Sequence, residues 1–274
     1  MTQISILGCG WLGLPLAKRL IEKGYSLNGS TTSEAKLPTL KEARIHPFLV
    51  VLEGESDSES INTFLAKSEI LIIDIPPKLR GNNAVIADSS RKVFVEKIEI
   101  LIPFIERSSV KKVLFVSSTS VYGDINELIT EETIPNPETE SGKQLLVAEA
   151  VLQKNKNFET TILRFGGLIG EDRHPVTSLS GKENLANADA PVNLIHQNDC
   201  ISIIEAIIRQ SKWNEVFNAV APFHPSREEY YTQKAREQNL LLPKFNSEKS
   251  NIKKIVSSEK TEKILNYKFK LDDY

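Results

Sequence analysis

Hydrophobic positions in the first 120 residues alternate between two spacings. Residues 3–7 form a short apolar run. From Trp11 onward, Leu12, Leu16 and Leu20 recur at intervals of four, one face of a helix, and Gly24 follows where helices commonly end. Pro15 falls in or just past the first turn, where proline costs least. Residues 26–30, 47–52 and 70–75 read as three further strands, the last stopped by Pro76-Pro77. A helical pattern then runs over 88–106. Residues 112–117 are nearly continuous in apolar side chains, as in a strand buried on both faces of a parallel sheet. Beyond it the order repeats: helix over 141–154, strand over 160–164, helix over 198–210 with Asn198 or Asp199 as its N-cap, strand over 216–219. This alternation predicts an α/β fold, a Rossmann-type doubly wound parallel sheet of about seven strands.

Composition narrows the functional classes. The 274 residues carry 34 Lys and Arg against 36 Asp and Glu, a net charge of −2, which excludes a globally basic nucleic-acid binder. An apolar content of 40 % is too high for a disordered chain. Two cysteines, Cys9 and Cys200, make neither a disulfide scaffold nor a Cys-rich zinc site, and point to the cytoplasm. The longest apolar run, 70–75, contains Asp74 and is far short of the roughly 18 residues that span a bilayer. Residues 4–17 are apolar but lack a basic leading segment and are broken by Gly8, Gly10 and Gly13, so they do not read as a signal peptide. The acidic stretch 53–59 reads as a solvated loop, and the eight lysines and five acids from Lys244 onward as a solvated surface. No histidine pair has metal-ligand spacing, and no metal is expected.

Gly8-Cys9-Gly10-Trp11-Leu12-Gly13 is an uninterrupted G-x-G-x-x-G placed after a predicted strand and opening a predicted helix. That context makes it a dinucleotide-binding fingerprint. Gly8 permits the tight turn, Gly10 lets the backbone approach a pyrophosphate, and Gly13 allows close packing of helix on strand. Free N–H groups and the positive end of the helix dipole then hold the phosphates. Cys9 reads as a small spacer, and Trp11 and Leu12 complete the loop. A carboxylate that selects NAD is expected about 20 residues further on, at the end of the second strand. Ser30-Thr31-Thr32-Ser33 stands there instead, with hydroxyls to meet a 2′-phosphate, so the cofactor expected is NADP in preference to NAD.

Ser117-Ser118-Thr119-Ser120-Val121-Tyr122-Gly123 ends the fifth predicted strand, at the sheet edge where α/β folds bind ligands. With it, the chain resembles the extended short-chain dehydrogenase/reductases, in their epimerase/dehydratase branch. Ile162-Leu163-Arg164-Phe165 with Gly167 and Gly170, His196-Gln197-Asn198-Asp199, Phe217-Asn218-Ala219, and a closing helix from Ser258 carry the likeness over nearly the whole chain. Gly10-Trp11-Leu12-Gly13 and Arg173-His174-Pro175 are similar to an atypical subgroup, the YeeZ-like proteins. The resemblance implies a dinucleotide-binding domain over 1–165, with 193–218 packing back on it. It also implies a small C-terminal substrate-capping subdomain from 166–192 and 219–274. Pro76 and Ser117 join the cofactor set. Ser118 is implied as the donor to a substrate oxygen, Tyr122 as a substitute acid/base, and Thr119, Arg173 and His174 as substrate contacts. His196 reads as structural.

One departure is decisive. The family's Tyr-x-x-x-Lys falls, anchored on Pro137 and Glu149, on Ser141 and Leu145, neither a phenol nor an ammonium. A literal Tyr230-Tyr231-Thr232-Gln233-Lys234 lies in an amphipathic helix over 226–239, after the wrong strand, and reads as coincidence. Two functions follow: an NAD(P)-dependent oxidoreductase or epimerase-like enzyme on a small substrate, or a non-catalytic NADP(H)-binding sensor. Neither nucleic acid nor membrane is an expected partner, and the oligomeric state is open.

Overall fold

The computed structural model describes residues 1–52, 58–77, 93–271 and 274. The strands are β1 (Gln3–Leu7), β2 (Ser26–Thr31), β3 (His46–Leu49), β4 (Ile70–Ile73), β5 (Lys112–Ser118), β6 (Leu128–Ile129), β7 (Glu159–Phe165), β8 (Gly167–Ile169), β9 (Leu194–His196), β10 (Val216–Ala219) and β11 (Ile255–Val256). Seven of them join in one sheet, in the order β10-β7-β5-β4-β1-β2-β3, with every neighbour parallel. The chain winds outward from β1 in both directions, so the order reverses between β1 and β4. That reversal leaves a crevice at the carboxyl edge of the sheet, the usual ligand position of such folds.

Period-two alternation explains why the strands are apolar throughout. In β4, Ile70 and Ile72 enter the core on one face, while Leu71 and Ile73 enter the core on the other. The first face is covered by α1 (Gly13–Glu22), α7 (Gln197–Arg209) and α9 (Glu259–Leu265), through Leu16, Leu20, Ile203, Ile207 and Leu265. The second is covered by α3 (Ser58–Leu65), α4 (Val93–Arg107) and α5 (Glu140–Lys154), through Phe64, Ile98, Leu101 and Leu152. Between β2 and β3 lies α2 (Leu37–Glu42).

A third apolar cluster joins Ile169, Val176, Val192 and Leu194 to Tyr230, Tyr231 and Ala235. It unites β8, β9 and α6 (Pro175–Leu179) with α8 (Arg227–Glu237). Ser226 caps α8 with a full capping box to Glu229. The irregular stretch expected over 166–192 therefore contains β8 and α6. The last helix departs from the expected domain boundary: Leu265, Ile264 and Tyr267 pack on the main sheet's core, not on the small cluster. Tyr267 and Tyr274 both donate hydroxyl hydrogen bonds to the buried Asp199 of α7, tying the chain's end to the same layer.

Several boundaries move by a few residues. The helix expected from Trp11 begins at Gly13, because residues 8–12 form the turn. β4 ends at Ile73, two residues early, as Asp74 turns into the crevice. His196, not Asn198, caps α7, its Nδ1 accepting from the Asn198 N–H at 3.2 Å. Residues 88–92 of the helix expected over 88–106, and 53–57 of the expected acidic loop, lie outside the described residues.

Candidate functional site

A cavity of about 710 Å³ opens at the carboxyl ends of β1, β4, β5 and β7. Its size suits a small-molecule site. The glycine-rich turn forms one wall. Gly8 has a φ of +104°, and a Cβ there would lie 2.3 Å from the Asp74 carbonyl oxygen. At Gly13 a Cβ would lie 2.2 Å from the Gly8 carbonyl oxygen. Both glycines are therefore required by close approach of backbone to backbone. Gly10 is different: a Cβ built on it meets nothing within 4 Å, and Gly10, Trp11 and Leu12 line the cavity. Helix α1 starts behind this turn with no cap from the side chain of Leu12 and no acid in its first turn; the Asp74 carboxyl takes the N–H of its first residue, Gly13.

Cys9 points the other way. Its Sγ is buried toward β2, near where a Cβ on Gly29 would stand, and burial beside Asp74 pushes the thiol up to about 12. It contributes backbone only. Ser30 is also turned to the loop's support: its Oγ accepts from the Gly8 N–H at 3.0 Å and its carbonyl from the Cys9 N–H at 2.8 Å. Thr31 is buried, its Oγ1 accepting from the Ser33 N–H at 3.1 Å. Thr32 alone of the three is exposed. The set expected to meet a 2′-phosphate thus divides into two structural hydroxyls and one available hydroxyl.

Asp74 is a site residue that the sequence reading passed over. It lines the cavity and accepts a hydrogen bond from the Gly13 N–H. Burial raises its carboxyl to about 8, against the opposing pull of that N–H and of Arg173. Its signal in the sequence was an acid inside the apolar run 70–75. Pro76 and Pro77 follow it along the cavity wall.

Arg173 stands with the residues of the glycine-rich turn instead of apart from them. Its guanidinium lies 4.9 Å from the centre of the Trp11 ring, and it lines the cavity. A hairpin bridge between Gly170 and Arg173 holds this segment, and the Trp11 Nε1–H donates to Asp172 Oδ1 at 2.7 Å. The neighbouring His174 is not in the cavity wall. Its Nδ1 accepts from the Val176 N–H as the cap of α6, and its Nε2 pairs with the Tyr230 hydroxyl at 3.0 Å. Burial lowers its pKa to about 4, so a charged Arg-His pair does not form. Tyr230 and Lys234 are on the same side of the molecule, Lys234 paired with Glu237, and neither lines the cavity.

The serine-rich end of β5 separates into two sets. Ser117 donates to Glu149 Oε1 at 2.5 Å. Glu149 is bound by Arg164, whose Nη2 donates to Oε2 at 2.6 Å with both side chains nearly fully buried. Arg164 Nη1 donates to the Tyr122 hydroxyl at 2.7 Å, and that hydroxyl donates to Asn218 Oδ1 at 2.8 Å. Tyr122 is fully buried, and burial raises its pKa further. The expected acid/base role of Tyr122 is therefore replaced by a structural one: its hydroxyl is committed at both donor and acceptor. Ser118, Thr119 and Ser120 line the cavity, and so does Ser117 beside its bond to Glu149. Ser118 Oγ accepts from the Ser120 N–H at 3.1 Å, which leaves its own hydrogen uncommitted among the described residues. The Ser120 hydroxyl is buried with no partner among the described residues.

Ser141 and Leu145, both on α5, line the same cavity. Asp124, Glu138 and Lys254 line it as well. These three carry chemistry that no motif announced.

No family model matches the chain. Over its whole length it is 31 % identical to protein YeeZ of Escherichia coli (strain K12), an alignment of 276 residues covering 100 % of this chain and 97 % of that one. A protein of Methylobacillus flagellatus provisionally named an NAD-dependent epimerase/dehydratase is 25 % identical. Its solved structure superposes with a TM-score of 0.79, over 100 % of this chain and 94 % of that one. A short-chain dehydrogenase/reductase superfamily protein from Agrobacterium tumefaciens, solved with bound NAD, superposes with a TM-score of 0.78. The superposition covers 98 % of this chain and 92 % of that one; at 15 % identity it speaks for the fold alone.

Proposed function

The chain belongs to the YeeZ family, atypical extended short-chain dehydrogenase/reductases, and on that premise we propose that it binds a nicotinamide dinucleotide along the carboxyl edge of its sheet. NADP is preferred to NAD, and the reaction is that of an oxidoreductase or epimerase-like enzyme on a small substrate. The observation that carries this reading is the space over Gly10, where a Cβ would meet nothing within 4 Å on the wall of a 710 Å³ cavity. A glycine there has no packing reason; a ligand gives it one.

The residues fit the group chemically. Backbone N–H groups at Trp11 and Leu12 meet a pyrophosphate at the start of α1, while that of Gly10 is held by the Gly8 carbonyl at 2.8 Å and shapes the turn. Arg173, fixed over Trp11, supplies the countercharge. Asp74, protonated up to about pH 8, meets a phosphate oxygen as a neutral donor instead of repelling it. Thr32 offers its exposed hydroxyl to a 2′-phosphate, and no carboxylate stands in the 30–33 segment to exclude one. When bound, the dinucleotide supplies or accepts hydride at its nicotinamide ring. Ser118 donates its free hydroxyl hydrogen to the substrate oxygen. Leu145 and Phe165 keep that end of the cavity apolar.

A second reading, a dinucleotide sensor without hydride chemistry, draws on Ser141 and Leu145, which stand where the family pattern has tyrosine and lysine. The deciding experiment incubates the protein with NADPH and a panel of small aldehydes and ketones and follows the loss of reduced-nicotinamide absorbance. The enzyme reading expects turnover with at least one carbonyl, abolished in Ser118→Ala. NADPH binding without turnover of any member favours the sensor.

A further inference from the structure

The serine-bearing turn after β5 holds an ammonium group. Lys254 reaches it from the last segment of the chain, 135 residues beyond Thr119 and 131 beyond Gly123. Its Nζ donates to the Thr119 carbonyl at 3.0 Å and to the Gly123 carbonyl at 2.6 Å. These carbonyls bracket the turn that carries Ser118 and Ser120. An ammonium has three hydrogens. Two are engaged, and Lys254 lines the cavity beside both serines.

The position is built, not incidental. Asn193 Nδ2 donates to the Lys254 carbonyl at 2.8 Å, and Asn193 Oδ1 accepts from the Val256 N–H at 2.9 Å, so one side chain brackets the backbone of 254–256. Next to it β11 pairs in parallel with β6. A surface lysine needs no such mounting. Among the described residues, the charged groups facing Nζ are Asp124 and Glu138, both exposed on the cavity rim, and the recorded hydrogen bonds of Nζ go to carbonyls, not to either carboxylate. Nearby, the Ser120 hydroxyl is buried and has no partner among the described residues. Three donors, Ser118, Ser120 and Lys254, thus line the same cavity.

We propose that Lys254 is the acid of this cavity, donating a proton to the substrate oxygen that Ser118 holds, in place of the tyrosine that this chain lacks. The inference rests on the dinucleotide reading above. In the reducing direction the carbonyl carbon gains a hydride from the reduced dinucleotide, which is thereby oxidised. The C=O π pair moves to oxygen, and that oxygen takes the third proton of Nζ. Lys254 is left as a neutral amine and regains its proton from water at the cavity mouth. Burial lowers its pKa against the opposing effect of Asp124 and Glu138, which brings it toward the range where a lysine acts as an acid.

The test reads the amine itself. The whole protein is pulsed with formaldehyde and cyanoborohydride across a pH series, with and without NADPH, and methylation is quantified peptide by peptide. Exposed Lys41 and Lys67 serve as references. Lys254 is expected to label with a midpoint below that of the references, and NADPH is expected to protect it. A midpoint shared with Lys41 and Lys67, or no labelling at any pH as for a purely structural clip, overturns the proposal. So does labelling that NADPH leaves unchanged although NADPH binds. Lys254→Met is expected to retain NADPH affinity, because the phosphate end of the cavity is untouched. Failure of the wild type to bind NADPH at all would overturn the dinucleotide reading, and is distinguished from these outcomes by a separate binding titration.

Discussion

Two glycines a turn apart should respond in opposite ways to a side chain. At Gly10 a valine enters open space, so the fold should lose no more than the ~0.5 kcal/mol typical of an unconstrained surface substitution. The same side chain occupies the position of a pyrophosphate. Losing that contact should weaken dinucleotide binding at least about a hundredfold, or ~2.7 kcal/mol. At Gly13 even an alanine places its Cβ 2.2 Å from the Gly8 carbonyl oxygen. The loop must open by about an ångström to accept it, and such overpacking costs ~1–3 kcal/mol. For a chain of this size that is a fall in Tm of roughly 2–10 °C. Thermal melts and NADPH titrations on Gly10→Val and Gly13→Ala separate the two effects. Unchanged NADPH affinity in a folded Gly10→Val would refute the placement of the phosphates; a wild-type melt for Gly13→Ala would refute the packing explanation of the fingerprint.

Asp74→Asn should stabilise the protein increasingly as pH rises. The carboxyl holds its proton to about 8 when folded and releases it near 3.8 when unfolded, so stability present at low pH is lost as pH climbs between these values. Urea unfolding at pH 5 and pH 8 should show the variant gaining ~2 kcal/mol relative to wild type, less than full burial implies because the carboxyl borders the open cavity. Wild-type NADPH affinity should also fall above pH 8, where Asp74 ionises, and a flat profile would speak against its place beside the phosphates. Thr32→Asp should move preference from NADP(H) toward NAD(H), read from paired titrations, because a carboxylate repels a 2′-phosphate and binds a ribose diol. Glu149→Ala should cost ~3–5 kcal/mol in urea unfolding, because it strands the Arg164 guanidinium in the core.

The sheet was legible because its strands obey one rule: both faces are buried, so the side chains are continuously apolar. The fingerprint was legible because glycines at 8, 10 and 13 follow such a strand directly. Local pattern was silent where a side chain's role depends on a distant partner. Tyr122 looks like a site residue on a serine-rich turn, yet Arg164 claims it for the scaffold, while Ser117 both lines the cavity and donates to Glu149. His174 looks like half of an anion site, yet it caps α6 and meets Tyr230 across 56 residues. Asp74 was visible as an odd acid in an apolar run, but its contact with Gly13 was not. Lys254 is one of eight lysines in the last 31 residues, and its bonds to the distant Thr119 and Gly123 carbonyls single it out.

A fluorescence titration of the wild-type protein with NADPH and with NADH bears most directly on the central claim. Trp11 lines the cavity, so a reduced nicotinamide dinucleotide bound there should quench its emission. Saturable quenching by both, tighter for NADPH, is the expected result. No saturable response to either would contradict the assignment of this cavity as a dinucleotide site.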